Sequence, residues 1–222
     1  MGIGAGSPLN ARSTLSRSGA ANEARTKQDP AGSLKHFAAA IAAAPDYFEA
    51  YYHLGVAEAQ LNRNEEAMGS FQTAIDLSDG HYPRAEFGYA LMLTRIGSAA
   101  EAESIVRHGL ETDANIPDGH VVLGLILLKL HRVDEAERSA QRALLLEQPS
   151  SAKGYLILAD VEGARGEFAR QADELEAYMK SCPHDRNQKY LEAACGQKVG
   201  GPEIARPLRL LRFRPPQPRM FL

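Results

Sequence analysis

A two-residue pattern recurs along this chain at a nearly constant interval. A large apolar residue is followed by a small one, and the small residues are Gly55, Ala90, Gly124 and Ala159. Their successive separations are 35, 34 and 35 residues. A fixed period of this size is typical of stacked structural repeats, because one such unit cannot bury its apolar face alone. The recurrence therefore predicts an array of similar units along the 222-residue chain.

Each period is predicted to contain two helices. Between residues 45 and 79, two runs at helical spacing flank an interruption from Asn62 to Asn64. The runs are Tyr51, Leu54, Gly55 and Glu58, then Ala67, Phe71, Ala74 and Ile75. Asp46 is expected to cap the first helix. Asn62, with Gly97 and Gly166 in later periods, is expected to hold the left-handed residue that ends it.

The stretch PDYFEAYYHLGVAEAQLNRNEEAMGSFQTAIDLSD resembles one tetratricopeptide repeat, whose pattern is W-x2-L-G-x2-Y…A-x3-F…P over about 34 residues. Tyr51 stands at the Trp place, whereas Leu54-Gly55, Ala67 and Phe71 match directly. The resemblance implies an all-α fold, a right-handed α-solenoid of about five tetratricopeptide helix–turn–helix repeats. The first repeat is degenerate, and a capping helix is expected to close the C-terminal end.

The resemblance also predicts the division of the chain. Residues 1–12 form a disordered N-terminus, residues 13–198 the repeat array, and residues 199–222 a disordered tail rich in Pro and Arg. The repeats lie near 14–47, 48–82, 83–116, 117–151 and 152–185, and the capping helix lies at 185–198. Helix starts are expected at Pro30 and near Pro83 and Pro117, because Pro suits the first helical turn.

Residue size at repeated positions indicates how the helices pack. The small residues Ser33, Ala67, Ala102 and Ala136 are expected to let paired helices approach to roughly 8–10 Å. The large residues Phe37, Phe71, Val106 and Leu175 are expected to fill the gap between neighbouring units. Glu58 and Glu162 depart from the pattern at the Tyr place, and Gln171 replaces a small residue. For the two glutamates we expect an inter-helix salt bridge or a solvated edge.

Catalytic, metal and cofactor motifs are absent from the sequence. The seven histidines form no HExxH or His/Cys cluster, Cys182 and Cys195 have no zinc spacing, and GxSxG does not occur. We therefore expect no enzyme, no catalytic residue, no bound metal and no cofactor. A net charge of −3 does not favour nucleic acid, and no run of 18 apolar residues could span a membrane. The expected location is cytoplasmic.

The resemblance places a peptide-binding groove on the first helices, which line the concave face in tetratricopeptide proteins. The groove residues are then Tyr52, Val56, Phe87, Leu91, Arg95, Val121, Leu125, Leu128, Lys129 and Leu156. The first helix of the fourth repeat, GHVVLGLILLKL, is apolar on nearly every side. Such a helix is either buried all round or partly open to a partner's helix or extended segment.

The predicted function is a non-catalytic scaffold or adaptor that binds a segment of another protein in this groove. Two alternatives remain: a regulatory fragment of a larger enzyme, and an RNA-binding helical repeat, which the negative charge opposes. The identity of the partner and the oligomeric state are left open by the sequence.

Overall fold

A computed structural model describes residues 30–146 and 152–182 of the chain. These residues form nine α-helices and no strand, so the all-α prediction is confirmed for the described part. The helices are α1 Pro30–Ala43, α2 Phe48–Gln60, α3 Asn64–Leu77, α4 Pro83–Ile96, α5 Ala99–Thr112, α6 Pro117–Lys129, α7 Val133–Leu146, α8 Gly154–Arg165 and α9 Phe168–Ser181. None of these helices is long and apolar enough to cross a membrane.

Four sequence predictions lie outside the described residues. They are the disordered start at 1–12, the first helix of the degenerate repeat, the capping helix at 185–198 and the tail at 199–222. Within the described residues, α1, α4 and α6 begin at the predicted prolines, Pro30, Pro83 and Pro117.

The helices are distributed over two compact units, Met1–Met92 and Leu93–Leu222. In the first unit α1 packs on α2, and α2 packs on α3 as an antiparallel hairpin. In the second unit α5 packs on α6, α6 on α7, α7 on α8 and α8 on α9, while α6 also contacts α8. Contacts between neighbours in sequence dominate this arrangement, as expected for a helical array.

The turns inside the hairpins share one geometry. Each contains a residue with positive φ: Asn62 (60°), Gly97 (98°), His131 (60°) and Gly166 (81°). The next residue donates its N–H to a carbonyl five residues back, as from Arg63 to Glu58 at 3.0 Å. Glycine and Asn adopt this conformation readily, so three of the four turns were predicted. The fourth was not, because His131 carries no such signal.

The expected cap at Asp46 is wrong. The residue before α2 is Tyr47, and no side chain caps that helix start. Tyr47 N–H instead donates to Ala44 O at 3.1 Å, which places Asp46 inside the preceding turn.

The residues predicted to pack between helices are buried. The four small residues and the four large ones are all buried, with Phe71, Val106 and Leu175 completely so. A Cβ atom added at Gly55 would lie 2.9 Å from Phe71 Cε1, and one at Gly88 only 2.6 Å away. Glycine at these two positions therefore makes room for the Phe71 ring within the first unit.

The expected inter-helix salt bridge is wrong for both glutamates at the Tyr place, and the expected solvated edge is wrong for Glu162. Glu58 accepts a hydrogen bond from Ser70 Oγ at 2.7 Å, so its partner is a hydroxyl rather than a cation. Glu162 is buried in the α8–α9 hairpin instead of standing at a solvated edge. Gln171 is 1% exposed, with its amide against Gly163, where the family pattern has a small residue.

Candidate functional site

The candidate groove residues of the first unit are buried. Tyr52, Val56, Phe87 and Leu91 all belong to its packed interior. The Tyr52 ring contacts the Tyr82 ring edge-on, with centroids 5.3 Å apart, and the Phe71 ring at 6.0 Å. A partner cannot reach these side chains in this conformation, so they support the surface from beneath.

Two candidate residues of the second unit are also buried. Val121 packs in a cluster with Ala140, Ala143 and Ile157, which joins α6, α7 and α8. Leu156 packs in a second cluster with Ala159, Leu175 and Tyr178, which joins α8 and α9. These two positions hold the second unit together.

Three partly exposed leucines cover the first of these clusters. They are Leu125 and Leu128 of α6 and Leu158 of α8, and we name them the apolar strip. Leu125 and Leu128 are three residues apart and therefore neighbours on one side of α6. These two side chains are half-buried, so α6 is not buried on every side. Their accessible apolar surface supports the alternative in which α6 is partly open to a partner.

Two cations belong to the candidate set in the second unit. Lys129 is exposed in the last turn of α6, beside Leu128 in sequence. Arg95 is half-buried in the last turn of α4. Burial lowers the pKa of the Arg95 guanidinium, because desolvation disfavours its charged form.

Leu158 was missed as a surface residue by sequence reasoning. It occupies the large apolar position of the recurring pair and was not among the predicted groove residues. The alternation of burial along α8, with Ile157 and Ala159 buried and Leu158 half-buried, depends on how far α6 covers α8. No sequence signal reports that coverage.

The described residues do not supply the donors of a metal site. No group of three or more His, Cys, Asp or Glu side chains in this part of the chain could hold a metal ion. The arrangement at the apolar strip is suited to contact with apolar side chains and, through Lys129, with an anionic group.

The profile of the tetratricopeptide repeat matches residues 19–82 and 121–186. No curated protein sequence matches the chain. Among solved structures, a thermophilic TPR protein of Thermus thermophilus has a TM-score of 0.74 at 18% identity, covering 82% of this chain and 98% of that one. PilF of Pseudomonas aeruginosa has a TM-score of 0.65 at 16% identity, covering 95% and 96%.

A third solved structure matches this chain over only a part of its own length. The O-GlcNAc transferase of Thermobaculum terrenum has a TM-score of 0.56 at 19% identity, covering 63% of this chain and 27% of that chain. At such identities the three likenesses show a common helical-repeat fold and nothing about ligands.

Proposed function

The chain belongs to the tetratricopeptide repeat family, and on that ground we propose that it is a non-catalytic scaffold or adaptor that binds a segment of a partner polypeptide. Family membership supports the general role of a protein-interaction repeat. The proposed binding surface is chosen from the accessible side chains of the second unit.

The apolar strip is the observation that carries this proposal. Leu125, Leu128 and Leu158 are partly exposed side chains above a closed apolar cluster, so covering them removes apolar surface from water without opening the core. Such burial is worth about 25 cal/mol per Å². A partner helix or extended segment with apolar residues at matching spacing fits this surface. Lys129 adds a preference for a carboxylate at one end of that segment.

Burial divides the predicted groove residues into two groups. The six buried residues, Tyr52, Val56, Phe87, Leu91, Val121 and Leu156, act in this proposal by holding the helices in place. Leu125, Leu128, Lys129 and Arg95 are the candidates that a partner contacts directly. Contact with a partner stays a prediction for each of them.

The proposal is tested by affinity capture from the native source with variant baits. Leu128→Glu places a carboxylate in the apolar strip and is expected to reduce partner capture roughly tenfold or more, since losing one buried leucine costs about 1.5–3 kcal/mol. The matched control is Leu145→Glu, because Leu145 is 78% exposed on α7, outside the strip. It is expected to bind like the unchanged protein.

A second variant keeps the test conclusive if Leu128→Glu does not fold. Lys129 is exposed, so Lys129→Glu is expected to leave the melting temperature unchanged while weakening capture of an anionic segment. Folded Leu128→Glu and Lys129→Glu baits that capture the partner at full strength would overturn the choice of this surface.

A regulatory segment of a larger enzyme is the second candidate. The transferase of Thermobaculum terrenum shows that a helical array of similar fold can occupy a fraction of a longer chain. The measurement that separates the two is the mass of the native protein together with the complete coding sequence. A catalytic domain joined to this chain would favour the hypothesis of a regulatory segment of a larger enzyme.

Two further expectations belong to this proposal. A cytoplasmic location is tested by fractionation of the source cells. Binding to nucleic acid is not expected, because the net charge is −3. RNA affinity that falls steeply with salt would contradict that expectation and revive the RNA-binding alternative.

A further inference from the structure

One pair of helix positions recurs in every complete hairpin, with different chemistry each time. Glu58 on α2 and Ser70 on α3 form the hydrogen-bonded pair of the second repeat. Moving along the chain by the observed intervals of 35, 34 and 35 residues gives the equivalent pairs. They are Leu93 with Ile105, Leu127 with Ser139, and Glu162 with Glu174. The last hairpin therefore sets two carboxyl groups where the second repeat has a carboxylate and a hydroxyl donor.

The carboxylate of Glu162 lacks a good partner where it lies. The residue is 8% exposed, and its Oε2 atom is buried without a hydrogen bond. Its Oε1 atom lies 3.7 Å from Arg165 Nη1, which is long for an ion pair. Gln171 Oε1 is a second buried acceptor without a hydrogen bond in the same hairpin. An unpaired buried carboxylate is costly, whereas a protonated carboxyl can donate.

The cation nearest to Glu162 is engaged by other acids. Arg165 Nη2 donates to Asp134 Oδ1 at 2.7 Å and to Glu137 Oε2 at 2.6 Å, and both of these acids are on α7. The facing helix α9 contributes Glu174 and its neighbour Asp173, which are further negative charges. The α8 side of the hairpin therefore meets acidic groups from both neighbouring helices.

The third helix in contact with α8 offers no compensating cation in its described contacts. The acid at the start of α6, Asp118, is paired with Lys153 Nζ at 2.6 Å. Lys129, at the other end of α6, is exposed. The histidine of α6, His120, directs its Nε2 towards Ala114 O at 3.0 Å.

We propose that Glu162 and Glu174 form a proton-binding pair, in which the Glu174 carboxyl takes a proton from solvent and donates a hydrogen bond to the Glu162 carboxylate. The bound proton forms a hydrogen bond to a carboxylate in the last described hairpin, as the hydroxyl hydrogen of Ser70 does to Glu58 in the second repeat. Mild acidification then stabilises the α8–α9 hairpin, and neutral pH loosens it.

The direction of the pKa shift agrees with this pair. Burial raises the pKa of the Glu174 carboxyl, and the charges of Glu162 and Asp173 raise it further. The folded state therefore binds the proton more tightly than the unfolded chain, where the ordinary value of 4.5 applies. Stability falls as the pH rises from that ordinary value through the raised pKa, and it returns when the pH is lowered again.

The test is hydrogen exchange of the full chain, measured by mass spectrometry on peptides from residues 154–181. Exchange is recorded at about pH 7.5 and about pH 5.5 and expressed as protection factors, which removes the intrinsic pH dependence of exchange. Glu174→Gln keeps the shape and donates to Glu162 at every pH. It is expected to protect these peptides more than the unchanged protein near pH 7.5, and by a smaller margin near pH 5.5.

Two comparisons complete the experiment. Glu111→Gln removes an exposed glutamate of α5 and is expected to change protection of these peptides at neither pH. Ser70→Glu transplants the acid pair to the second repeat, so peptides from residues 48–77 are expected to lose more protection near pH 7.5 than near pH 5.5. If Ser70→Glu unfolds the chain, Glu174→Ser gives the reverse transplant and should abolish the pH dependence of residues 154–181. A Glu174→Gln effect that is absent, or equal at both pH values, would overturn the pair.

Discussion

The ring of Phe71 determines how closely three helices of the first unit approach one another. It projects from α3 and is completely buried. It lies against both Gly55 of α2 and Gly88 of α4. Neither glycine has positive φ, so the requirement for glycine here is the space for this ring rather than the backbone conformation. One side chain thus sets two helix separations.

Phe71→Ala is expected to lower the free energy of unfolding by about 3–5 kcal/mol, because the emptied site cannot collapse fully. The measurement is the urea midpoint followed by circular dichroism. Gly88→Ala is expected to destabilise for the opposite reason, by about 1–3 kcal/mol, because its Cβ overlaps the ring. Leu77→Ala, at a residue 39% exposed, serves as the control. An unchanged midpoint for Phe71→Ala would show that the ring is not a core contact.

Helices of the second unit are joined by an arginine in the turn between α6 and α7. Arg132 Nη1 donates to both carboxylate oxygens of Glu103 on α5, at 2.8 and 2.7 Å. Its Nε and Nη2 donate to the two oxygens of Glu135 on α7, both at 2.6 Å. One guanidinium thus holds Glu135 in bidentate geometry and Glu103 through a single nitrogen, and it ties α5 to α7. Hydrogen bonding to Glu135 and Glu103 raises the pKa of Arg132, and the bond to Arg132 lowers the pKa of Glu135.

Arg132→Ala is expected to lower stability modestly at neutral pH, since these side chains are partly exposed and solvent screens the charges. A lowered pKa means that the Glu135 contribution is present above its ordinary value of 4.5 and is lost as the pH falls through the lowered pKa. The difference from the unchanged protein should therefore shrink in acid and in high salt, measured as urea midpoints. The control is Arg142→Ala, at an exposed position of α7. A difference that is the same at every pH would indicate packing rather than charge.

The chain as a whole combines a periodic array with a C-terminal segment of different composition. Residues 199–222 contain five prolines and five arginines and show no helical period. From this composition the sequence predicts that the segment is dispensable for folding.

Truncation after Val199 tests this prediction, and it is expected to leave the melting temperature unchanged. The measurement is thermal unfolding followed by circular dichroism, with the full chain as reference. A large loss of melting temperature would show that the segment LRLLRFR contributes contacts to the array.

The helices, their order and their packing positions were predictable from residue spacing and size. Stacked repeats make contacts mostly with sequence neighbours, so a small residue such as Ala67 and a large one such as Phe71 report the packing directly. The turns at Asn62, Gly97 and Gly166 were also predictable, because the signal for a left-handed residue lies in that one residue.

Only the tertiary structure determined which side chains are accessible and which polar groups pair. A position on a helix face does not tell how deeply the next helix covers it, so Tyr52 and Leu91 proved buried whereas Leu158 remained partly open. The hydrogen bond from Ser70 to Glu58 joins residues on two helices, and the buried Oε2 atom of Glu162 has no hydrogen bond. Burial and pairing of this kind depend on the distance between helices, which many side chains set together.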